Sequence, residues 1–523
     1  MDPIVTTALV GTAHQGHVNL ATATPVDALI DELPAGEIER KLLLSAGAWA
    51  VYRQAGRKAQ QIAVVPEPSA PETLRPCSRK AALLLSRLLK GEHTDLLPEA
   101  LERLRKAGMH LPFNLLPQAL NGLNHQSKEL HAIIFPVLGE RGRWLSTFNP
   151  AWNWVRDFLP GDENSLSADA ETIWQEGTTA QRVEILYRLR AVDQEKARSW
   201  LEAAWKQEKA EVRCELAATL EIGLSASDEA FLENALDDRA ASVRAVAASL
   251  LARIPTSAFV GRMYTRGSVM LNRVKGKLAV EPPNEIEKDW LRDGIIENPP
   301  EKQGKRTMWL IQVLSTIPPT FWETHLGARP AELIALTTKD KQWGSAVIYG
   351  WSGAVSNYNT PDWVLPLWNW WCRNYDKVKD DDIRDYYMRA KLLKCMSPRE
   401  AEQAILTLLA EEKREPDNHW LDLLSELPRP WSVEFGHACL RLLRTYCSTE
   451  RIKAKNFNPY SDPWFSHLPI VALSLPAACF AEAQQPWELS EGETGWQIPY
   501  ARKLLQNFVK TIQMRQKINE EIL

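Results

Sequence analysis

Cysteine is sparse in this chain: seven in 523 residues, an odd number, with no C-x-x-C pair among them. That argues against a disulfide frame and suits isolated reduced thiols in the cytoplasm. Charge of one sign is also lacking. The 62 basic and 66 acidic residues leave a net charge of -4, so no global field attracts nucleic acid or an acidic membrane. Long apolar runs are missing. The most apolar stretch, 468–481, contains Pro469 and Pro476 and falls short of the ~18–20 residues that span a bilayer; it reads as a buried helix pair or a broken helix. The opening residues Met1 to Val5 carry neither a basic segment nor a long apolar one, so they do not read as a secretory signal. No membrane segment is expected, and the expected compartment is the cytoplasm. With 45% hydrophobic and 24% charged residues, the composition excludes disorder as the main state and a collagen-like class. What is abundant is tryptophan, 21 residues against 12 Phe and 11 Tyr.

Complete catalytic motifs are also wanting. Gly304-Lys305 resembles the end of a phosphate-binding loop, but Pro299 stands where its first glycine belongs and Arg306 follows the lysine, so the backbone freedom that cradles phosphates is lost. Gly350-x-Ser352 is followed by Gly353 and Ala354, which misses the spacing of a nucleophile elbow. His14 and His17 form the one close histidine pair, in a stretch that Gly11 and Gly16 mark as a loop, with no third ligand nearby; His437-x-Cys439 has the same defect. Asp380, Asp381 and Asp382 sit among Lys377, Lys379 and Arg384 and read as a charged loop leading into a helix, without the central glycine of a calcium loop. No cofactor, metal or catalytic residue is therefore expected, and an enzyme is the less favoured reading. A hydrolase site assembled from distant segments stays open.

Periodicity carries more. Between residues 172 and 255, Arg182, Arg213 and Arg244 recur every 31 residues, with Ile185, Leu216 and Ala247 and then Leu189, Leu220 and Leu251 at the same offset. Upstream, Trp200-Leu201 matches Phe231-Leu232, and Ala204-Trp205 matches Ala235-Leu236. Each unit holds two apolar stripes at i, i+3, i+4 spacing, which predicts two amphipathic helices. Ser225-x-x-Asp228 reads as a capping box. A helix pair cannot bury both faces alone, so stacking is expected and with it an all-α fold, an α-solenoid of helical hairpins. Val212-Arg213 and Val243-Arg244 make the units HEAT-like, though 31 residues is shorter than the usual ~40–47. A second echo lies at 96–104 and 115–123, where Leu-Leu-Pro-x-Ala-Leu-x-x-Leu repeats after 19 residues, each proline fitting a first helical turn.

Helical patterns return at 307–316, 330–336, 345–354, 366–375, 383–395, 399–412, 433–446 and 500–522. Two stretches break the texture: 63–76, with Pro66, Pro68, Pro71 and Pro76, and 261–300, in which 268–280 reads as a short β-hairpin. The expected organisation is an N-terminal helical segment (1–62), a proline-rich linker (63–76), N-terminal helical repeats (77–160), HEAT-like repeats (161–257), an irregular basic insertion (258–304) and C-terminal helical repeats (305–523).

Three groups of residues resemble those of one family: Ala8-Leu9-Val10-Gly11-Thr12; Gly139-x-Arg141-Gly142-Arg143-Trp144-Leu145 with Asn149-Pro150-x-Trp152; and Trp290-x-Arg292-Asp293-Gly294 with Trp309-Leu310 and Ile317-Pro318. Together they resemble an uncharacterised bacterial family of helical-repeat proteins, over most of the chain. The resemblance implies genes beside MoxR-type AAA+ ATPases, von Willebrand factor A domain proteins and SWIM-zinc-finger proteins, and hence an accessory or adaptor role in a chaperone-like ATPase system. It implies no catalytic residue.

The candidate partner-binding residues follow from the local patterns. Arg141, Arg143 and Arg156 are interleaved with Trp144, Trp152 and Trp154, a pairing that can stack on ligands or fork onto carboxylates; the alternative is a structural corner turned by Gly139 and Gly142. Arg182, Arg213 and Arg244 could line the inner face of a superhelix or form an internal ladder. With Pro366 in a first turn, Trp368, Trp371, Cys372 and Tyr375 make one core stripe, leaving Trp370 as a candidate anchor. Arg262, Arg266, Arg273, Lys275 and Lys277, with no acid between 258 and 280, form a basic patch that could meet phosphate, nucleic acid or an acidic partner, or simply be a solvated loop. The leading expectation is a non-enzymatic scaffold for a protein partner, an AAA+ ATPase or its von Willebrand A-domain companion. Nucleic-acid binding through the basic patch is the alternative.

Overall fold

The computed structural model describes residues 3–12, 21, 24–32, 38–55, 66–122, 128–158, 170–298, 304–358, 360–374, 386–410, 421–449, 452, 457–489 and 496–522. His14, His17 and the acids at 380–382 lie outside these residues. The chain forms two compact units, 1–69 and 70–523, and its fold is all-α.

In the first unit, α1 (Pro3–Val10), α2 (Val26–Asp31) and α3 (Ile38–Ala55) enclose a small core of Ile4, Val26 and Ile30, with Leu42, Ala46 and Trp49 packed against it.

The second unit opens with a bundle of short helices: α4 (Arg79–Leu89), α5 (Leu97–Lys106), α6 (Leu116–Gly122), α7 (Lys128–Ile134) and α8 (Gly139–Ser146). The echoed Leu-Leu-Pro openings start α5 and α6, with Pro98 in the first turn of α5. Strand β1 (Arg75–Pro76) pairs in parallel with β2 (Met109–His110), which lashes the proline-rich segment to this bundle.

The repeats follow as α9 (Ala170–Glu176), α10 (Thr179–Val192), α11 (Gln194–Ala204), α12 (Ala210–Ala218), α13 (Glu229–Ala235) and α14 (Ala241–Leu251). Helix α10 packs on α12, and α12 on α14. The 31-residue spacing is thus the distance between stacked second helices. Thr178 and Gln181 cap α10 reciprocally, and Ser225 and Asp228 form the expected capping box.

Residues 258–270 are a correction to the sequence reading. They form a regular helix, α15 (Ala258–Met270), instead of an irregular insertion. Ser257 caps it by accepting from the Val260 N–H at 3.2 Å. The glycine that weakens its helical pattern has a packing role: a Cβ on Gly267 would meet Ile317 at 2.5 Å. The hairpin is present, as β3 (Leu271–Val274) and β4 (Lys277–Val280). Its two-residue loop, Lys275-Gly276, has positive φ at both positions, 50° and 76°, the conformation that suits the twist of a tight hairpin.

After α16 (Lys288–Arg292) come α17 (Lys305–Ser315), α18 (Pro319–Leu326), α19 (Pro330–Thr337), α20 (Gly344–Asn357), α21 (Pro361–Asn374), α22 (Tyr386–Lys394) and α23 (Pro398–Ala410). The chain ends with α24 (Val433–Cys447), α25 (Pro463–Ser474), α26 (Phe480–Ala483) and α27 (Gln497–Glu521). The stretch 468–481 is a broken helix: α25 runs through Pro469 without interruption and ends before Pro476, after which a short turn leads into α26.

Gly350, in the incomplete nucleophile motif, works by its missing side chain: a Cβ there would meet Leu314 at 2.6 Å, so α20 can press close to α17. Ser352 is buried, donating to the Ile348 carbonyl at 2.7 Å and accepting from the Trp371 indole at 2.9 Å. The surplus tryptophans fill this region. Trp322, Trp351, Trp363, Trp368 and Trp371 are all fully buried. Trp351 meets Trp363 edge-on with centroids 5.1 Å apart, the favoured geometry for packed rings.

One continuous core runs from Leu186 to Ile512. A second holds the 81–155 bundle and takes in Met514, Ile518 and Ile522. Helix α27 belongs to both cores, so the bundle packs against the end of the chain. Between the two sets of apolar contacts sits Arg515, which bonds Glu99 at 2.6 Å and the carbonyls of Ala472 and Leu475 at 2.6 and 2.8 Å.

Candidate functional site

The Gly-Arg-Trp corner is built around an internal carboxylate. Gly139 opens α8 at φ +66°, and Glu72 accepts the backbone N–H groups of Glu140 and Arg141 at 3.0 and 2.8 Å. A Cβ on Gly139 would stand 2.5 Å from the Glu72 oxygen, so glycine is what admits the carboxylate to the positive end of the helix. Arg141 lies over the Phe113 ring at 4.2 Å. Arg143 lies over Phe135 and bonds Glu140 at 2.8 Å. Trp144 meets Phe148 edge-on. Trp152 is buried, its indole donating to Asn121 at 2.9 Å. The corner fastens the chain around Glu72 to the bundle.

Arg182, Arg213 and Arg244 form a ladder across the stacked helices. Arg182 pairs with Glu208 at 2.6 Å and Arg213 with Asp238 at 2.9 Å. Arg244 donates to the carbonyls of Asp238 and Leu291 at 2.8 and 2.9 Å. Arg182 and Arg213 also stack on Trp174 and Trp205, residues with the same 31-residue spacing that was visible in the sequence but not read from it.

The basic patch is divided. Arg262 bonds Asp293 at 2.7 Å and Glu233 at 3.0 Å, and Arg266 bonds Asp289 at 2.9 Å and Asp293 at 2.7 Å. The acids, Glu233, Asp289 and Asp293, lie outside the acid-free stretch 258–280. Arg292 joins the cluster through Asp237 at 2.6 Å. The hydrogen bond between them holds Asp237 below the usual aspartate range and raises Arg292. Arg273 caps the end of α18 through the carbonyls of Leu326 and Gly327. Lys275 and Lys277 remain exposed on the hairpin.

Trp370 is buried, its indole donating to the Thr338 hydroxyl at 3.0 Å. Helix α21 starts at Pro361, so Pro366 stands in its interior and not in a first turn. The hydrogen bond that proline forgoes falls on the carbonyl of Asp362, in the exposed first turn where water can replace it.

Two arrangements escaped the sequence. Arg190, wholly buried, forks onto Asp228 at 3.0 and 3.1 Å and bonds the Ile222 carbonyl at 3.0 Å. Arg198 meets the same aspartate at 3.0 Å. Asp228 had been read only as a cap.

The other is a cleft of about 260 Å3 between α21 and α23. Val364, Leu365, Met396 and Ala404 supply apolar lining, and Asn369, Glu400, Gln403 and Thr407 the polar groups. Glu400, Gln403, Ala404 and Thr407 fall at i, i+3, i+4, i+7, one face of α23. Leu365 is 51% exposed. Glu400 accepts from the Ser397 N–H and hydroxyl at 2.9 and 2.6 Å, which hold its carboxyl below the usual range. Cys395 also lines the cleft, its thiol raised by burial. Among the described residues no three His, Cys, Asp or Glu side chains converge on a metal position.

Residues 3–522 match a family of unknown function, DUF5691, and the chain belongs to that family. No curated protein matches it.

Proposed function

We propose that this protein is a non-enzymatic scaffold, an α-solenoid of compact HEAT-like hairpins that binds a protein partner. The observation that carries the reading is the 31-residue ladder of Arg182, Arg213 and Arg244. Its guanidiniums pair with acids and carbonyls of neighbouring units, holding stacked helices in register as in repeat proteins that present surface. Among the exposed side chains are aromatics of the type that anchors interfaces: Tyr460 at 62%, Trp496 at 54% and Tyr387 at 68% exposure. The partner in this reading is a MoxR-type AAA+ ATPase or its von Willebrand A-domain companion, as the family resemblance implies. Nucleic acid has weaker support, because Arg262 and Arg266 of the five patch cations already face Asp293.

The test is affinity purification of tagged full-length protein from its host, with and without ATP, followed by mass spectrometry. Recovery of an AAA+ ATPase or a von Willebrand A-domain protein, reconstituted afterwards from purified components, is the expected result. Absence of both under each condition overturns the reading.

A further inference from the structure

We propose that the cleft between α21 and α23 is the partner contact, and that it takes an extended peptide segment carrying apolar side chains and a basic residue. This rests on the scaffold reading and names the chemistry of the partner's contact. Size limits the occupant first. At about 260 Å3 the cleft is smaller than the roughly 300–1,000 Å3 that encloses a drug-sized ligand or cofactor, but it accepts one or two apolar side chains. Val364, Met396 and Ala404 offer them an apolar lining, and Leu365 stands exposed beside it.

The polar groups choose between a helix and an extended segment. Asn369 on α21 and Gln403 on α23 line opposite walls, and neither carboxamide has a hydrogen-bond partner among the described residues. Each can donate and accept at once. A helix satisfies its own main chain and offers such groups little, whereas an extended peptide presents free N–H and C=O groups. Charge sets the remaining feature. Glu400 lines the cleft in the first turn of α23, ionised and already anchored by Ser397. Asp362 is exposed in the first turn of α21, beside the cleft residue Pro361. The complement is a lysine or arginine.

The experiment pans a random-peptide phage library against the intact protein, then titrates synthetic copies of the enriched peptides by fluorescence anisotropy. Peptides pairing apolar residues with Lys or Arg are expected. Leu365→Lys, which removes the apolar contact and repels the basic residue, should weaken them at least about tenfold, as should Asn369→Ala combined with Gln403→Ala. These side chains are exposed or half-buried, and unchanged circular dichroism and melting confirm that the variants fold. Failure to enrich any peptide, equal binding by both variants, or a gain of helical signal on binding overturns the proposal. The scaffold reading is scored separately: if the ATPase or A-domain protein co-purifies equally with wild type and Leu365→Lys, the cleft is wrong and the scaffold stands, whereas no co-purification with wild type defeats the scaffold itself.

Discussion

Asp228→Ala is the substitution whose cost the structure defines best. The carboxylate has no exposure and serves two guanidiniums, Arg190, itself fully buried, and Arg198. It also closes the capping box with Ser225, accepting that residue's N–H at 3.1 Å. Removing one partner of a buried pair costs about 3–5 kcal/mol, because the surviving charge is left uncompensated. Losing the cap adds about 1 kcal/mol. Arg190 keeps its bonds to the carbonyls of Leu220, Ile222, Gly223 and Gln194, which softens the loss, so the net expectation is about 3–4 kcal/mol. The measurement is urea unfolding followed by far-UV circular dichroism, with hydrogen exchange read over residues 179–251 to localise the effect. Glu102→Gln is the control. Its pair with Arg105 is a third to half exposed and should change stability by no more than ~1 kcal/mol. If Asp228→Ala costs no more than the control, or if the exchange change lies outside the repeats, the account of this cluster is wrong.

Glu72→Ala should loosen the proline-rich segment by about 1 kcal/mol, the worth of a lost cap, seen as faster proteolysis near residues 66–78. Gly139→Ala should do more damage, because it meets both a positive φ and the Glu72 carboxylate at 2.5 Å; equal effects would refute the cradle. Arg515→Met should cost about 3–5 kcal/mol by stranding Glu99 and two carbonyls, with exchange rising in both α5 and α25; a rise confined to α27 would deny that this arginine ties the bundle to the end of the chain. Asp237 is held below its ordinary value of 3.8 by Arg292. A group whose pKa is depressed by folding contributes stability above the unfolded value and loses it as pH falls through the folded one. Asp237→Asn should therefore flatten part of the stability loss below about pH 4 and leave the neutral-pH slope unchanged.

The fold was legible where packing imposes a period. Ile185, Leu216 and Ala247 face the same way because consecutive helices stack, so the array announces itself in the sequence. Polar partners were harder to read. Arg262 and Arg266 sit in a stretch without acids, and only folding brings Asp289, Asp293 and Glu233 to them. A linear window counts charges along the chain, whereas neutralisation depends on neighbouring helices. The same limit hid Glu72, which lies 67 residues before the glycine that receives it. The cleft left no local signal at all: its lining residues are ordinary helix-face residues, and what distinguishes them is that no helix among the described residues fills the space.

The third repeat locates where the ladder ends. Trp174 and Trp205 carry the stacked arginines of the first two rungs, and Leu236 takes the equivalent place in the third. Without an indole beneath it, the Arg244 guanidinium reaches forward to the carbonyl of Leu291, the penultimate residue of α16. Gly294 then passes against α14, where a Cβ would stand 3.1 Å from both the Arg244 carbonyl and Ala248. The family-like Trp-x-Arg-Asp-Gly run thus serves as a terminal clasp: Arg292 and Asp293 gather the arginines of α15 and the acids of α13, and Gly294 allows the close approach. Arg244→Met should release the Leu291 carbonyl and loosen residues 288–294, detectable as faster hydrogen exchange there with the α10–α12 rungs unchanged. Unaltered exchange at 288–294 would mean that the clasp does not depend on Arg244.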